Sequence, residues 1–220
     1  MSGLRQPRVL LTGFEPFGGE AINPSWEVAR ALHGREIAGA RMVAEQLPCA
    51  FARSLPALQQ ALRRHRPAAV VCLGLAGSRS AVSVERVAVN LADARIADND
   101  GEQPLDRPVC AGGPAAHFLR LPAKAIVARL LAEGLPAELS HTAGSFVCNQ
   151  VAYGLMQALR RRPAVPAGFI HLPPLPQQAA QHPRSQPLAL DRQVRAIALA
   201  IAVLREQGPA DLAQTGGLID

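Results

Sequence analysis

The stretch Ala68-Ala-Val-Val-Cys-Leu73, which runs into Gly74-Leu-Ala-Gly77, decides the fold class of this chain. An unbroken run of small and apolar residues that stops at glycines is typical of a strand buried on both faces. Just before it, Phe51 to His65 has apolar residues at helical spacing, and after it Val82 to Asn90 alternates enough to be a further strand. The centre of the chain is therefore predicted to alternate between helices and strands.

The same alternation continues outward in both directions. Further strands are predicted at Arg8 to Thr12, Arg41 to Leu47, Ala137 to Ser140 and Gly168 to Leu172. Further helices are predicted at Asn23 to Leu32, Ala123 to Glu133, Cys148 to about Arg162 and Asp191 to Gln207, with a long loop at Asp93 to Pro114. This order predicts an α/β fold with a largely parallel sheet covered by helices on both faces and right-handed crossovers.

Length and composition fit one domain. The 220 residues are 49% hydrophobic, enough to fill a sizeable core, and no linker divides them. We therefore predict a single domain over residues 1–220, with a tail from about residue 210 that frays. No charged segment precedes a long apolar run, so we expect no signal peptide, no membrane span and a cytoplasmic protein.

The net charge of +6 would permit nucleic-acid binding, but its distribution argues against it. The two arginine clusters, Arg63 to Arg66 and Arg160 to Arg162, end predicted helices, where cations complement the helix dipole. Aromatic residues make up only 4% of the chain, too few for base-stacking surfaces. We expect no nucleic-acid partner.

The four cysteines are widely separated and form no C-x-x-C pair, so neither a disulfide framework nor a zinc site is expected. Cys148 stands apart because Ser140-His-Thr-Ala-Gly-Ser-Phe-Val-Cys-Asn149 leads from a loop of small residues into a helix-like run. At a helix start, unpaired N–H groups and the helix dipole favour the thiolate, and they can also receive an oxyanion. Cys148 is therefore a candidate nucleophile.

Two other residues could complete a catalytic set. His171 ends a predicted strand just before a proline-rich turn, and Glu85 lies in the segment that follows Gly77. Each also has an ordinary interpretation, as a structural histidine and as a surface ion pair with Arg86. Gly74, Ser140 and His171 lie near the ends of predicted strands, so we expect the site at the edge of the sheet where these strands end. The residues alone indicate a thiol-dependent hydrolase and name no substrate.

Several segments together resemble the pyroglutamyl peptidases (type I pyrrolidone-carboxylate peptidases), in the order and spacing of that family. The matching segments are Thr12 to Gly19, Asn23 to Ser25, Gly74 to Asn90, Ser140 to Asn149 and Phe169 to Pro173. The resemblance extends from about Val9 to about Leu204. It implies a three-layer α/β/α sandwich around a mostly parallel, twisted open sheet.

The resemblance also implies an activity, the removal of N-terminal pyroglutamate (5-oxoproline) from peptides through a thioester intermediate. It implies no metal or organic cofactor, and a homo-oligomer, often a tetramer. The catalytic positions carry over to Glu85, Cys148 and His171, and Arg95 matches an arginine near the oxyanion. The ring pocket and its polar support carry over to Phe14, Phe17, Asn23, Ile96, Phe146 and Val147.

Two departures from the family pattern concern the pocket. Leu75 replaces a glutamine that some relatives use to bond the lactam, and Cys49 replaces a small polar pocket residue, adding a possible second target for alkylation. Two other functions therefore stay open. One is a different enzyme on a similar fold, such as a nucleoside phosphorylase, although no persuasive phosphate-binding set is present. The other is a binding protein that has kept the fold without catalysis.

Overall fold

A computed structural model describes residues 6–208, 210–213 and 215, and within these residues nine strands alternate with five α-helices. The strands are β1 (Arg8–Phe14), β2 (Glu36–Ile37), β3 (Ala40–Leu47), β4 (Ala69–Leu75), β5 (Val82–Glu85), β6 (Val87–Val89), β7 (Ala116–Phe118), β8 (Ala137–Ser140) and β9 (Ala167–Leu172). The helices are α1 (Pro24–Leu32), α2 (Phe51–His65), α3 (Ala123–Ala132), α4 (Val147–Ala158) and α5 (Leu190–Gln207), with a 3-10 helix at Pro176–Gln178.

Seven strands form the central sheet in the order β2-β3-β1-β4-β9-β5-β8. The neighbours β3, β1, β4 and β9 are parallel, whereas β2 is antiparallel to β3 and β5 is antiparallel to β9. The pair β5 and β8 is parallel, so both run against the central strands. The predicted mostly parallel α/β sheet is confirmed, with one reversed pair at its edge.

Alternate residues of the buried strands pack into two separate cores, because successive side chains of a strand point to opposite faces. In β4, Val71 and Leu73 join the core formed with α1, α3 and α5, whereas Val70 and Cys72 join the core formed with α2 and α4. We call these the α1/α3/α5 face and the α2/α4 face. Helices cover both, which confirms the three-layer α/β/α arrangement.

The stretch predicted as one strand from Val82 to Asn90 is divided between two sheets. The backbone N–H of Arg86 donates to the Ser140 carbonyl at 2.8 Å, and the Arg86 carbonyl accepts from the Leu119 N–H at 2.9 Å. The chain thus leaves the central sheet after β5 and continues as β6 in a two-stranded antiparallel ribbon with β7. The strands β2 and β7 were not predicted, because two or three residues are too short to show a periodicity.

Two predicted ends differ from the structure. The helix that carries Cys148 ends at Ala158 rather than near Arg162, with Leu159 as its C-cap. The predicted frayed tail lies partly outside the described residues. Within them, none of the helices has the length and apolar character that crossing a bilayer requires.

Candidate active site

Strand register brings two of the predicted catalytic residues onto one face of the sheet. In the parallel pair β4 and β9, Gly74 lies opposite His171, and in the antiparallel pair β5 and β9, Ser83 lies opposite His171. Directly opposed side chains point to the same face, and so do residues two apart on one strand. Glu85, two residues after Ser83, therefore shares the α2/α4 face with His171.

The strand directions correct one expectation. Because β8 runs against β4 and β9, its carboxyl end at Ser140 does not lie at the same edge as those of the central strands. Ser140 instead lies opposite Glu85 in the β5–β8 register. Glu85 thus approaches the histidine from a neighbouring reversed strand, and not from a shared carboxyl edge.

Glu85 and His171 form a buried hydrogen-bonded pair. His171 Nδ1 lies 2.7 Å from Glu85 Oε1, with 6% and 0% of the side chains exposed. Burial by itself would raise the pKa of Glu85, but the hydrogen bond and charge of His171, together with Ser140 and Arg79, hold the pKa below its usual value. The ionised carboxylate accepts a hydrogen bond from Nδ1–H, so Nε2 is the nitrogen without a proton when the ring is neutral.

Arg79 is a site residue that the sequence did not reveal. Its Nη1 lies 2.7 Å from Glu85 Oε1, and its Nη2 donates to the Thr142 carbonyl at 2.8 Å. The alternative of a surface pair between Glu85 and Arg86 is wrong, because Glu85 is buried and bonds Arg79 instead. No spacing in the sequence indicates this contact, since Arg79 lies in the loop before β5 and reaches the carboxylate through the fold.

Cys148 is the second residue of α4. Its sulfur lies against Gly74 of β4, the strand next to β9, which carries His171. A Cβ added to Gly74 would come within 2.9 Å of the Cys148 Sγ and 2.8 Å of the Phe169 ring. Only a residue without a side chain leaves room for the sulfur here. Gly74 is the register partner of His171, and the Phe169 ring centroid is 4.8 Å from that of His171. Cys148 and His171 are therefore both neighbours of Gly74.

The start of α4 presents free backbone donors around the sulfur. The first hydrogen bond of the helix runs from the Gln150 N–H to the Phe146 carbonyl, at 3.2 Å. Among the residues that the structure describes, the N–H groups of Val147, Cys148 and Asn149 have no hydrogen-bond acceptor. Donors of this kind at a helix start can stabilise an oxyanion.

The surroundings of the Cys148 thiol act on it in opposite directions. A helix start favours the thiolate, but burial raises the pKa of Cys148 well above its usual value, and Cys49 and the Glu85 carboxylate raise it further while Arg79 lowers it. Burial disfavours the charged form of the sulfur. Burial thus favours a protonated thiol at rest, which calls for a base that removes its proton during attack.

Two cavities with shared lining residues lie next to this site. The smaller, about 270 Å³, is lined by Phe17, Asp93, Arg95, Ile96, Ser145 and Phe146. The larger, about 650 Å³, is lined by Phe17, Gly18, Glu20, Leu75, Gly77, Ser78, Arg95, Ile96, Gln181, His182, Pro183 and Arg184. The predicted pocket residues Phe17, Arg95, Ile96 and Phe146 thus meet here, and the Phe17 and Phe146 ring centroids are 6.1 Å apart.

Three other predicted pocket residues lie in the layer behind the cavities and line neither of them. Phe14 is 2% exposed, with its ring centroid 6.4 Å from that of Phe169. Asn23 accepts from the Ser25 N–H as the N-cap of α1 and donates to the Glu15 carbonyl. Val147 is fully buried in the first turn of α4. Their observed contacts are structural, and direct ring binding by them stays a prediction.

The two departures from the family pattern occupy different places. Leu75 lines the larger cavity. Cys49 lines neither cavity and is 3% exposed, and burial, with the charges of Glu15 and Asp98, raises its pKa to about 12. A buried, protonated thiol reacts slowly, so we expect Cys49 to be a poor target for alkylation.

Two polar residues at the start of α4 and just before it, to which the sequence assigned no role, hold the cavity wall in place. The Asn149 side chain accepts from the Val89 N–H and donates to the carbonyls of Val89 and Leu91, each at 2.9 Å. Just before the helix, Ser145 Oγ donates to the Asp93 carbonyl at 2.7 Å. The segment that carries Arg95 and Ile96 is thereby fixed to the start of α4, the helix that contains Cys148.

In residues 6–208, 210–213 and 215, no three His, Cys, Asp or Glu side chains are grouped so that they could hold a metal ion.

Comparison with known proteins identifies the family. The model of the pyroglutamyl peptidase family matches residues 7–207. A pyrrolidone-carboxylate peptidase of Gloeobacter violaceus is 56% identical over 200 residues, covering 91% of this chain and 98% of the relative, and one of Cupriavidus taiwanensis is 53% identical over 211 residues, covering 92% and 98%. Both relatives are matched over almost their full length.

Solved structures agree with the sequence relatives. The pyroglutamyl peptidase I of Bacillus amyloliquefaciens superposes with a TM-score of 0.91 at 44% identity, covering 96% of this chain and all of that one. A mutant pyrrolidone carboxyl peptidase of Pyrococcus furiosus superposes with a TM-score of 0.85 at 38% identity, covering 91% and 99%. The chain belongs to the pyroglutamyl peptidase family, cysteine peptidases that remove N-terminal pyroglutamate.

Proposed function

We propose that this chain removes pyroglutamate with a Cys148–His171–Glu85 triad and a thioester intermediate. The observation that carries the proposal is the buried 2.7 Å bond between Glu85 and His171, because His171 is the register partner of Gly74, the glycine that the Cys148 sulfur packs against. Membership in the family leaves a nucleoside phosphorylase or a non-catalytic binding protein without support.

The first step is attack on the carbonyl that joins the pyroglutamyl ring to the next residue. Because the resting thiol is neutral, His171 takes its proton as the sulfur forms a bond to the carbonyl carbon. Glu85 holds the imidazole in the tautomer that can accept this proton and stabilises the resulting cation. His171 could act as a general base or form a preformed ion pair with the thiolate, and burial of the thiol favours the general base.

The second half of the reaction uses the same groups in reverse order. Negative charge on the tetrahedral oxygen is stabilised by N–H groups of the α4 first turn, with Arg95 close by. His171 then gives its proton to the departing amine, which breaks the C–N bond and leaves a thioester on Cys148. Water, deprotonated by His171, attacks the thioester and releases free pyroglutamate and the thiol.

The smaller cavity suits the substrate ring, which is flat, compact and uncharged. Phe17, Ile96 and Phe146 supply apolar walls. A charged N-terminal amine would lose its hydration there without compensation, which favours the neutral lactam over an ordinary N-terminus. The side chain of Leu75 offers neither a donor nor an acceptor to the lactam. The lactam N–H and C=O are therefore left to backbone groups of the wall.

The test is hydrolysis of a fluorogenic pyroglutamyl amide by the wild type and by Cys148→Ala. We expect the variant to lose at least about 10³-fold in kcat/KM, because no other group replaces the nucleophile. Cys110→Ala is the matched control, because this cysteine is partly exposed and lines neither cavity, and it should keep the wild-type rate. Full activity in Cys148→Ala would overturn the proposal. Activity abolished by a metal chelator would contradict the expectation that no metal is needed.

We also propose that the chain forms a homo-oligomer, a tetramer by resemblance, that acts on peptide substrates in the cytoplasm. Large apolar side chains on its surface support the assembly, since Phe118 is 79% exposed and Leu105 is 77% exposed. Such residues are often covered in oligomers. Sedimentation velocity should show an assembled species, and a monomer at micromolar concentration would contradict this.

A further inference from the structure

The geometry points to a function for the larger cavity. This inference rests on the proposed peptidase activity. We propose that this cavity receives the leaving peptide and that Arg184, together with Arg95, binds a carboxylate on it. The carboxylate is either the C-terminus of a short pyroglutamyl peptide or an acidic side chain next to the scissile bond. The enzyme then prefers acidic or very short substrates to neutral and basic ones.

The two cavities adjoin each other. Both are lined by Phe17, Arg95 and Ile96, so these residues form a common wall. Leu75, next to the glycine that touches the Cys148 sulfur, lines the larger cavity. A peptide whose ring fills the smaller cavity can therefore extend into the larger one, on the side of Leu75.

The charge of the larger cavity is not balanced by its own residues. Among the described residues, neither Arg95 nor Arg184 has a hydrogen bond or an ion pair, and both are exposed. Glu20 is the only acidic residue in the lining, and His182 and Gln178 contact its two carboxylate oxygens at 2.8 and 3.1 Å. Asp93 lines only the smaller cavity. Two cations are thus left for a ligand.

The wall that carries Arg184 is held in place before any ligand binds. A Cβ added to Gly77 would come within 2.4 Å of the His182 ring, so this ring packs directly on the turn after β4. Close by, the Gln186 N–H donates to Ser80 Oγ at 2.8 Å. A fixed wall lowers the entropic cost of binding, because little has to be ordered when the peptide arrives.

The expected preference is modest, because both guanidinium groups are in contact with water. Exposed ion pairs of this kind contribute about three- to tenfold in binding when two cations act together, and salt screens them. The effect should therefore appear in kcat/KM at low ionic strength and shrink as salt is added.

The experiment compares matched substrates that differ only in charge. Pyroglutamyl-alanine is compared with its amide, which isolates the C-terminal carboxylate. Pyroglutamyl-glutamate amide is compared with pyroglutamyl-glutamine amide, which isolates the side chain. Each is measured with the wild type, with Arg184→Gln and with Arg161→Gln, an exposed arginine at the far end of α4 that lines neither cavity.

We expect the wild type and Arg161→Gln to favour at least one of the charged substrates by about three- to tenfold at low salt. Arg184→Gln should reduce that preference to less than about twofold and leave the neutral substrates unchanged, which also shows that it folds. Equal rates for charged and neutral substrates, or a preference that survives in Arg184→Gln, would overturn this inference alone. Failure to cleave any of the four would overturn the proposed function itself.

Discussion

The two faces of the central sheet are built from the same strands but carry different chemistry. On the α1/α3/α5 face, strand residues such as Val71, Leu73 and Ile170 are apolar and fully or almost fully buried. On the α2/α4 face, the same strands present Gly74 and His171, and α4 brings Cys148 against them. One face is a purely structural core of strand residues and the other carries the proposed catalytic residues, and the alternation of side chains along each strand separates them.

This difference shows why a buried histidine and glutamate can exist in an apolar core. The strand side chains on the α1/α3/α5 face can be apolar because none of the proposed catalytic residues lies there. The α2/α4 face contains two buried ionisable groups, Glu85 and His171, that are hydrogen-bonded to each other, and Arg79 bonds the same carboxylate oxygen. A buried charge is costly unless it is paired. Changes on the two faces should therefore have separable effects.

The largest effect is expected from Glu85→Gln on the α2/α4 face. The amide cannot stabilise the imidazole cation, and it can bond the wrong tautomer of His171. By analogy with serine-protease triads, kcat should fall roughly 10³- to 10⁴-fold. Steady-state hydrolysis of a pyroglutamyl amide measures the loss, with circular dichroism to confirm folding. A variant that folds and keeps more than a tenth of the activity would remove Glu85 from the triad.

A matched pair of truncations tests the separation of the faces directly. Leu130→Ala in α3 and Leu155→Ala in α4 each remove a fully buried leucine, one on each face. Both should lower the free energy of unfolding by about 2–5 kcal/mol, measured by urea denaturation. Only Leu155→Ala should also lower kcat of the folded protein, by up to roughly 10²-fold, because α4 positions the sulfur. Equal effects on kcat would break the comparison.

A smaller effect is expected from Arg79→Met. Losing a charge-assisted hydrogen bond to a buried carboxylate should lower kcat/KM by roughly ten- to a hundredfold. Arg79 helps to hold the pKa of Glu85 low, so the acidic limb of the pH–rate profile should move to higher pH. Arg79→Lys should restore part of the rate. Arg86→Met is the control, because Arg86 does not pair with Glu85. Its kcat/KM should stay within about twofold of the wild-type value.

The last prediction concerns how the reactivity of the Cys148 thiol depends on pH. Burial favours the neutral form of Cys148 in the folded chain, so the reactive anion appears only as pH rises. The rate of inactivation by iodoacetamide should therefore keep increasing from about pH 6 to about pH 9. A plateau already reached near pH 6 would instead indicate a preformed thiolate–imidazolium pair and would contradict the general-base mechanism.

Much of the site was predictable from local sequence. The run into Cys148 predicted a cysteine at a helix start, and the structure places it second in α4. Asn23 and Pro24 predicted the start of α1, and the helix begins at Pro24 with Asn23 as its cap. These features depend on neighbours within a few residues, where backbone preferences and capping act.

The sequence by itself determined the α/β alternation, the family and the identity of the candidate nucleophile, acid and base, because periodicity and motifs are local properties. Only the tertiary structure decided that β5 and β8 run backwards, that Arg79 rather than Arg86 bonds Glu85, and that burial raises the pKa of Cys148. Strand direction, partner choice and desolvation depend on residues far apart in the chain, and those meet only when the sheet and its two helical layers assemble.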